Sequence, residues 1–235
     1  MNPKLTKTVL ITGASRGLGL SLARALAQKE WKLILTARTK DVLESVRAEL
    51  AACTAVLAIP GDVSDPHIRE ALANAVRAAC CGLDVLVNNA SLLGPSPQPH
   101  LLDYPLDALE AIYRANVFAP LALTQAVRDL LNPGARILNI TSDAAVNAYD
   151  GWGGYGSSKS ALEQISAVLA VEEPLLRFYW IDPGDMRTQM HQEAFPGEDI
   201  SDRPLPEVSV PGIVALIDGD YPSGRYAARD VRGRE

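Results

Sequence analysis

Short, continuously apolar runs rich in β-branched residues alternate along the chain with longer stretches of helical period. The runs at 8–12 (TVLIT), 32–36 (KLILT), 54–59 (TAVLAI), 84–87 (DVLV), 135–141 (ARILNIT) and 176–181 (LLRFYW) predict strands. Helices are predicted between them at about 17–29, 40–51, 66–80, 107–130 and 154–172. Strands that are apolar throughout, rather than at every second position, belong to a sheet covered on both faces, and strand–helix alternation makes that sheet parallel. The pattern therefore predicts an α/β, doubly wound fold with right-handed crossovers and a ligand site at the C-terminal ends of the strands.

Local signals refine this outline. Pro66 suits a first helical turn, and Thr39 and Asp65 are candidate caps for the helices that follow them. Pro120 falls inside the 107–130 pattern and predicts a kink or break, because proline lacks a backbone donor and clashes with the preceding turn. The proline-rich segment 91–105 and the charged segment 182–206 read as loops, and loops of that length inside a domain are candidate walls of a substrate site. No internal repeat or domain boundary interrupts 1–235, which reads as one domain with a substrate-loop region at about 185–206.

Composition narrows the classes of partner. The 235 residues are 48% hydrophobic and 21% charged, which supports a large core. A net charge of −6 offers no general attraction for nucleic acid or anionic lipid. No stretch has the length of a membrane span or the pattern of a signal peptide. Cys53, Cys80 and Cys81 form no even framework, Cys80–Cys81 reads as a buried helix end, and a reducing, cytoplasmic location is expected. His67, His100 and His191 lie far apart, so no catalytic metal is expected.

Directly after the first predicted strand comes Thr12-Gly13-Ala14-Ser15-Arg16-Gly17-Leu18-Gly19, with a helix opening at Gly17. Glycines there let the backbone turn sharply and approach a pyrophosphate, whose charge suits the helix N-terminus. At the end of the second strand, where a carboxylate would bind the ribose hydroxyls of NAD, the chain has Ala37-Arg38. Arg38 and Arg16 together suit a 2′-phosphate, which favours NADP(H) with NAD(H) as the alternative. Asp62-Val63 after the third strand would meet the adenine, and Asn88-Asn89-Ala90 after the fourth would lie beside the cofactor or form a turn.

Tyr155 and Lys159 are four residues apart at the start of a predicted helix and so share a face. A nearby cation favours the phenolate, which would bring a phenol toward useful acid/base range. Ser142, at the end of the fifth strand, is placed to donate to a carbonyl oxygen, and Asn116 in the preceding helix to hold water near Lys159. Gly13/Gly17/Gly19, Asn88-Asn89-Ala90, Asn116, Ser142, Tyr155, Lys159 and Pro183-Gly184 stand in the order and spacing of the compact short-chain dehydrogenase/reductases, which the chain resembles from about 7 to 188. The resemblance implies a Rossmann-type sheet of about seven mostly parallel strands flanked by helices. It implies Tyr155 as acid/base, Lys159 as pKa modulator and ribose binder, Ser142 as oxyanion stabiliser and Asn116 in a proton relay. Gly13, Ser15, Arg16, Gly17, Leu18, Gly19, Arg38, Asp62, Val63, Asn89, Ala90, Pro183, Gly184 and Thr188 would hold the cofactor with Tyr155 and Lys159, Thr188 at the nicotinamide carboxamide. The implied reaction passes the pro-S hydride of NADPH to a carbonyl.

The chain departs from that pattern at Ser91, where the family usually has glycine, and in the short connection 171–176. Apolar residues Leu109, Ile112, Val117 and Leu121 on one helix, and Leu162, Ile165, Val168 and Leu169 on another, would cover the sheet. By resemblance, these two helices also join subunits in a homodimer or homotetramer. Ser223-Gly224-Arg225-Tyr226 resembles a final edge strand. A nicotinamide-cofactor oxidoreductase acting on a small carbonyl/alcohol pair is the leading expectation; a non-catalytic NADP-binding regulator on the same fold is the alternative.

Overall fold

Seven strands pair in the order β3-β2-β1-β4-β5-β6-β7 in a computed structural model that describes residues 6–79 and 82–232. They are β1 (Thr8–Thr12), β2 (Lys32–Ala37), β3 (Val56–Pro60), β4 (Leu83–Asn88), β5 (Leu131–Ile140), β6 (Arg177–Asp182) and β7 (Gly224–Ala227). Every pairing is parallel. Eight α-helices connect them among the described residues: α1 (Gly17–Gln28), α2 (Lys40–Leu50), α3 (Pro66–Ala78), α4 (Leu106–Tyr113), α5 (Ala119–Val127), α6 (Gly153–Glu172), α7 (Gln189–Ala194) and α8 (Val210–Asp218). The order reverses between β1 and β4, which opens a crevice at their C-terminal ends.

The continuous apolar strands are explained by two cores, one on each face. Val9, Ile11, Leu33, Leu35, Val85 and Val87 face α1 and α8, while Leu10, Ile34, Leu86 and Ile137 face the side packed by Leu72, Leu123 and Val127. All five residues of β1 are buried, as a central strand covered on both sides requires.

Helix starts follow their local chemistry. Asp65 accepts the His67 N–H at 2.9 Å and Pro66 opens α3, whereas Thr39 makes no side-chain cap on α2, against expectation. The stretch 107–130 is not one helix. Five residues of π-helix, Arg114–Phe118, separate α4 from α5, and Pro120 lies in the first turn of α5. Without a proline N–H the α-helical ladder cannot run through unbroken, and the wider turn absorbs the defect. Asn116 sits within that turn.

The segments read as loops are partly ordered. A 3₁₀ turn forms at Leu101–Asp103, and α7 interrupts 182–206, its first turn capped by Thr188, whose hydroxyl accepts the His191 N–H at 3.2 Å. α8 has no counterpart among the helices that the sequence pattern predicts. Its buried Val210, Ile213, Leu216 and Ile217 repeat at helical spacing, a signal masked by Pro211-Gly212 at its start. The edge strand expected around 223–226 is present as β7. Cys53 is exposed, and Cys80 and Cys81 lie outside the described residues.

Candidate active site

A cleft of about 1120 Å³ runs along the C-terminal ends of the strands, from Arg38 and Asp62 at one end to Tyr155, Lys159 and Thr188 at the other. A second cavity of about 410 Å³ joins it there, sharing Tyr155, Pro183 and Thr188 and adding Ser142 and Gly184.

The glycine loop forms the floor of the cleft. Gly13 and Gly17 take φ of +64° and +54°, conformations that suit glycine. A Cβ on Gly19 would lie 2.4 Å from the Gly13 carbonyl oxygen, so the third glycine is what lets helix and loop pack together. Asn89 completes the turn: its amide donates to the carbonyls of Thr12 (2.9 Å) and Gly13 (3.1 Å), while the Asn89 and Ala90 N–H groups donate to Thr12 Oγ1. Of the two readings of Asn89, the turn accounts for its amide. Asn88 faces away from the cleft and donates to Asn139 Oδ1 at 2.8 Å.

Two features show that this cradle fits a dinucleotide. No side chain caps the N-terminus of α1, leaving its first N–H groups to a ligand, and the buried Thr36 hydroxyl, which lines the adenosine end of the cleft, has no hydrogen-bond partner. Ser15, Arg16, Gly17 and Leu18 line the same cleft, and Arg16 is bonded to Gln189 of α7, tying the loop to the segment over the site. Arg38 is exposed on the rim; Val63 is buried and Asp62 accepts the Ser64 N–H at 2.8 Å, which fixes the turn after β3.

Tyr155 and Lys159 emerge from the first turns of α6. Tyr155 is buried against Trp152, edge to face at 5.8 Å, with Lys159 Nζ 5.4 Å from its ring centre. Lys159 donates to the Ile140 carbonyl at 2.8 Å. Burial pushes the Tyr155 phenol up to about 12 and pulls the Lys159 ammonium down to about 7. Loss of water penalises both charged forms. A Ser91 hydrogen bond acts in the opposite sense on Tyr155.

Asn116 is fully buried and its polar atoms are all engaged. Its amide donates to the Leu92 carbonyl (2.9 Å) and Ser158 Oγ (3.0 Å), and its oxygen accepts from the Leu92 N–H (2.7 Å) and Ser91 Oγ (3.1 Å). Those partners occupy the amide with protein, so Asn116 holds the 91–92 segment against α6 and does not reach Lys159 directly. Ser91 thus links Asn116 to Tyr155, a contact the sequence motif alone did not suggest. Ser142 lies at the end of β5, where its hydroxyl donates to Asp143 at 3.0 Å and accepts the Ala144 N–H at 3.2 Å. Behind it, Arg225 of β7 donates to the Ser142 carbonyl and pairs with Glu163 at 3.0 Å, three residues from three elements that sequence spacing did not join.

Tyr155, Lys159 and Ser142 thus lie around the junction of the two cavities, at one end of a glycine-loop cradle of the kind that binds dinucleotides. The chain matches the family model for short chain dehydrogenase over residues 7–199 and belongs to the short-chain dehydrogenase/reductase family. It is 34% identical over 196 residues to benzil reductase ((S)-benzoin forming) of Saccharomyces cerevisiae, covering 80% of this chain and 74% of the relative. It is 35% identical over 201 residues to the NADP-dependent 3-hydroxy acid dehydrogenase of Schizosaccharomyces pombe, covering 82% and 76%. An alcohol dehydrogenase of the archaeon Thermococcus sibiricus, solved with 5-hydroxy-NADP, superposes with a TM-score of 0.85 at 28% identity, covering 98% of this chain and 99% of that one. Among the described residues no helix is long and apolar enough to cross a membrane, and no metal-binding cluster is present.

Proposed function

We propose that the chain is an NADP(H)-preferring carbonyl reductase or alcohol dehydrogenase of a reducing, cytoplasm-like compartment. The observation that carries this reading is the meeting of Tyr155, Lys159 and Ser142 where the two cavities join, at the far end of a cleft whose adenosine end carries Arg38 and Arg16. Gly13, Ser15, Gly17, Leu18, Asp62, Val63, Ala90, Pro183 and Thr188 would line the bound cofactor, with Gly19, Asn89 and Gly184 shaping the turns around it. When bound, the reduced nicotinamide supplies a hydride. Tyr155 gives its phenolic proton to the substrate oxygen, Ser142 donates a hydrogen bond to that oxygen, and Lys159 stabilises the resulting phenolate. Two similar proteins support NADP, one an NADP-dependent dehydrogenase and one solved with an NADP derivative.

Titration calorimetry tests the cofactor assignment. NADPH is expected to bind more tightly than NADH, and Arg38→Ala to weaken NADPH by about 10–100-fold, the worth of hydrogen bonds to a charged group, while NADH changes little. Equal affinities untouched by the substitution would refute the 2′-phosphate role of Arg38.

Self-association belongs to the same proposal. Ile112, Val117 and Leu162 are buried, but Leu106, Phe118, Val168 and Val171 on the α4–α6 side stay exposed. An apolar surface of that kind suits a helix-to-helix interface between copies. Light scattering is expected to give the mass of a dimer or tetramer, and Phe118→Glu to shift it toward monomer; a monodisperse wild-type monomer would remove the interface.

A further inference from the structure

Resting on the reductase reading, the second cavity carries information about what is reduced. Its apolar walls are Leu93, Ala144, Trp152, Met190 and Phe195, with the Trp152 and Phe195 rings 5.9 Å apart. Three carboxylates line it, Asp143, Asp182 and Asp185, and neither lysine nor arginine does. Two of the three face cationic or titratable partners. Asp182 accepts the Gly184 N–H at 2.9 Å and faces the Arg225 guanidinium at 3.5 Å; Asp185 faces Arg203 at 3.8 Å and His191 at 4.0 Å. Burial holds the His191 imidazole below its ordinary pKa, so it adds no lasting positive charge to the wall.

Asp143 differs from its neighbours. Its oxygens accept two neutral donors, Ser142 Oγ at 3.0 Å and Tyr149 Oη at 2.8 Å. The Ser142 hydroxyl has one proton, and in this arrangement it is given to Asp143. To stabilise a substrate oxygen, Ser142 must turn that proton away from Asp143. A ketone with no donor would then leave Asp143 with Tyr149 as its one side-chain donor. A donor on the carbon next to the carbonyl would take the place Ser142 gives up. In such a molecule the carbonyl oxygen and the neighbouring donor are about one hydrogen-bond length apart, which matches the Ser142–Asp143 separation. Since no cation lines the cavity, a charged donor gains most.

We infer that Asp143 is a specificity-determining residue and that the site takes ketones bearing a protonated amine on the adjacent carbon, with an aryl or alkyl remainder against Trp152 and Phe195; the reverse substrates are vicinal amino alcohols. Carboxylate-bearing ketones are disfavoured by Asp143 and by the neighbouring acids.

The test compares molecules sharing a phenyl ketone skeleton, assayed with NADPH near neutral pH: 2-amino-1-phenylethanone (amine on the carbon next to the carbonyl), acetophenone and benzoylformate. The ammonium ketone is expected to exceed acetophenone in kcat/KM by about 10–100-fold, and benzoylformate to fall below it. Asp143→Asn keeps the shape and the hydrogen-bonding oxygen but removes the charge, and is expected to collapse the ammonium-to-neutral ratio toward one and to raise benzoylformate relative to acetophenone. A ratio near one in the wild type, or a high ratio that survives Asp143→Asn, overturns the assignment. Calorimetry on the NADP-loaded protein separates this from a failure of the reductase reading: if no ketone turns over, that reading fails, and the pocket is judged by binding alone. Tighter binding of 2-amino-1-phenylethanol than of 1-phenylethanol, lost in Asp143→Asn, then sustains the specificity, and equal binding overturns it.

Discussion

Tyr155→Phe is expected to lower turnover by about a thousandfold or more while cofactor affinity stays within about twofold, the scale at which a positioned proton donor contributes. The substitution is mild everywhere except at the oxygen. The ring stays edge to face with Trp152 at 5.8 Å, and Lys159 keeps its bond to the Ile140 carbonyl. Ser91 loses the phenol but retains Asn116 Oδ1 at 3.1 Å, so the 91–92 segment stays anchored. What disappears is the proton that a reduced carbonyl must receive. Single-turnover loss of nicotinamide fluorescence reports the chemical step, and calorimetry reports cofactor affinity. Retained turnover would mean that another group protonates the substrate. An unchanged biological effect of the variant, with cofactor still bound, would favour the regulator that shares this fold.

Much of this site is legible in the chain because its parts are local. The glycine loop follows β1 directly, and Tyr155 and Lys159 are one helical turn apart, so spacing alone places each group. The continuous apolar runs likewise give six of the strands, since burial on both faces leaves no other pattern. What spacing does not reveal depends on distant partners. Arg225 meets Glu163 across 62 residues, and Ser91 meets Asn116 across 25. The place of the break near Pro120 is readable, but the bonds of Asn116 to Leu92 and Ser158 within that turn are not, because both partners are distant in sequence. The direction of the Tyr155 and Lys159 shifts is hidden for the same reason: adjacency is a property of the helix, whereas burial is a property of the assembled fold. Asp143 follows Ser142 in sequence, yet its importance appears only once a cavity without lysine or arginine is seen around it.

Burial of Lys159 leads to an expectation about stability as well as rate. Its side chain is 2% exposed, and its ammonium is drawn down from an ordinary 10.5 to about 7. Between those values the unfolded chain binds more protons than the folded one, so this group makes stability rise with pH across that window. Below about 7 it is protonated in both states and the cost is full; above 10.5 it is neutral in both and the cost vanishes. Tyr155 acts at higher pH, where a phenol pushed from 10 up to about 12 favours the folded state below 10 and loses that contribution through 12. Lys159→Met is therefore expected to melt several degrees above the wild type at pH 7 without cofactor, with the gap closing toward pH 10, while turnover falls by about a hundredfold or more. Scanning calorimetry across that range, paired with kcat, measures both. A variant less stable than the wild type at every pH would mean that the bond to Ile140 and the packing of the lysine stem outweigh its desolvation. A gap that does not vary with pH would mean that the folded protein keeps Lys159 charged throughout. The expected result makes Lys159 a group held at a cost to folding stability, as the proposed role beside Tyr155 requires.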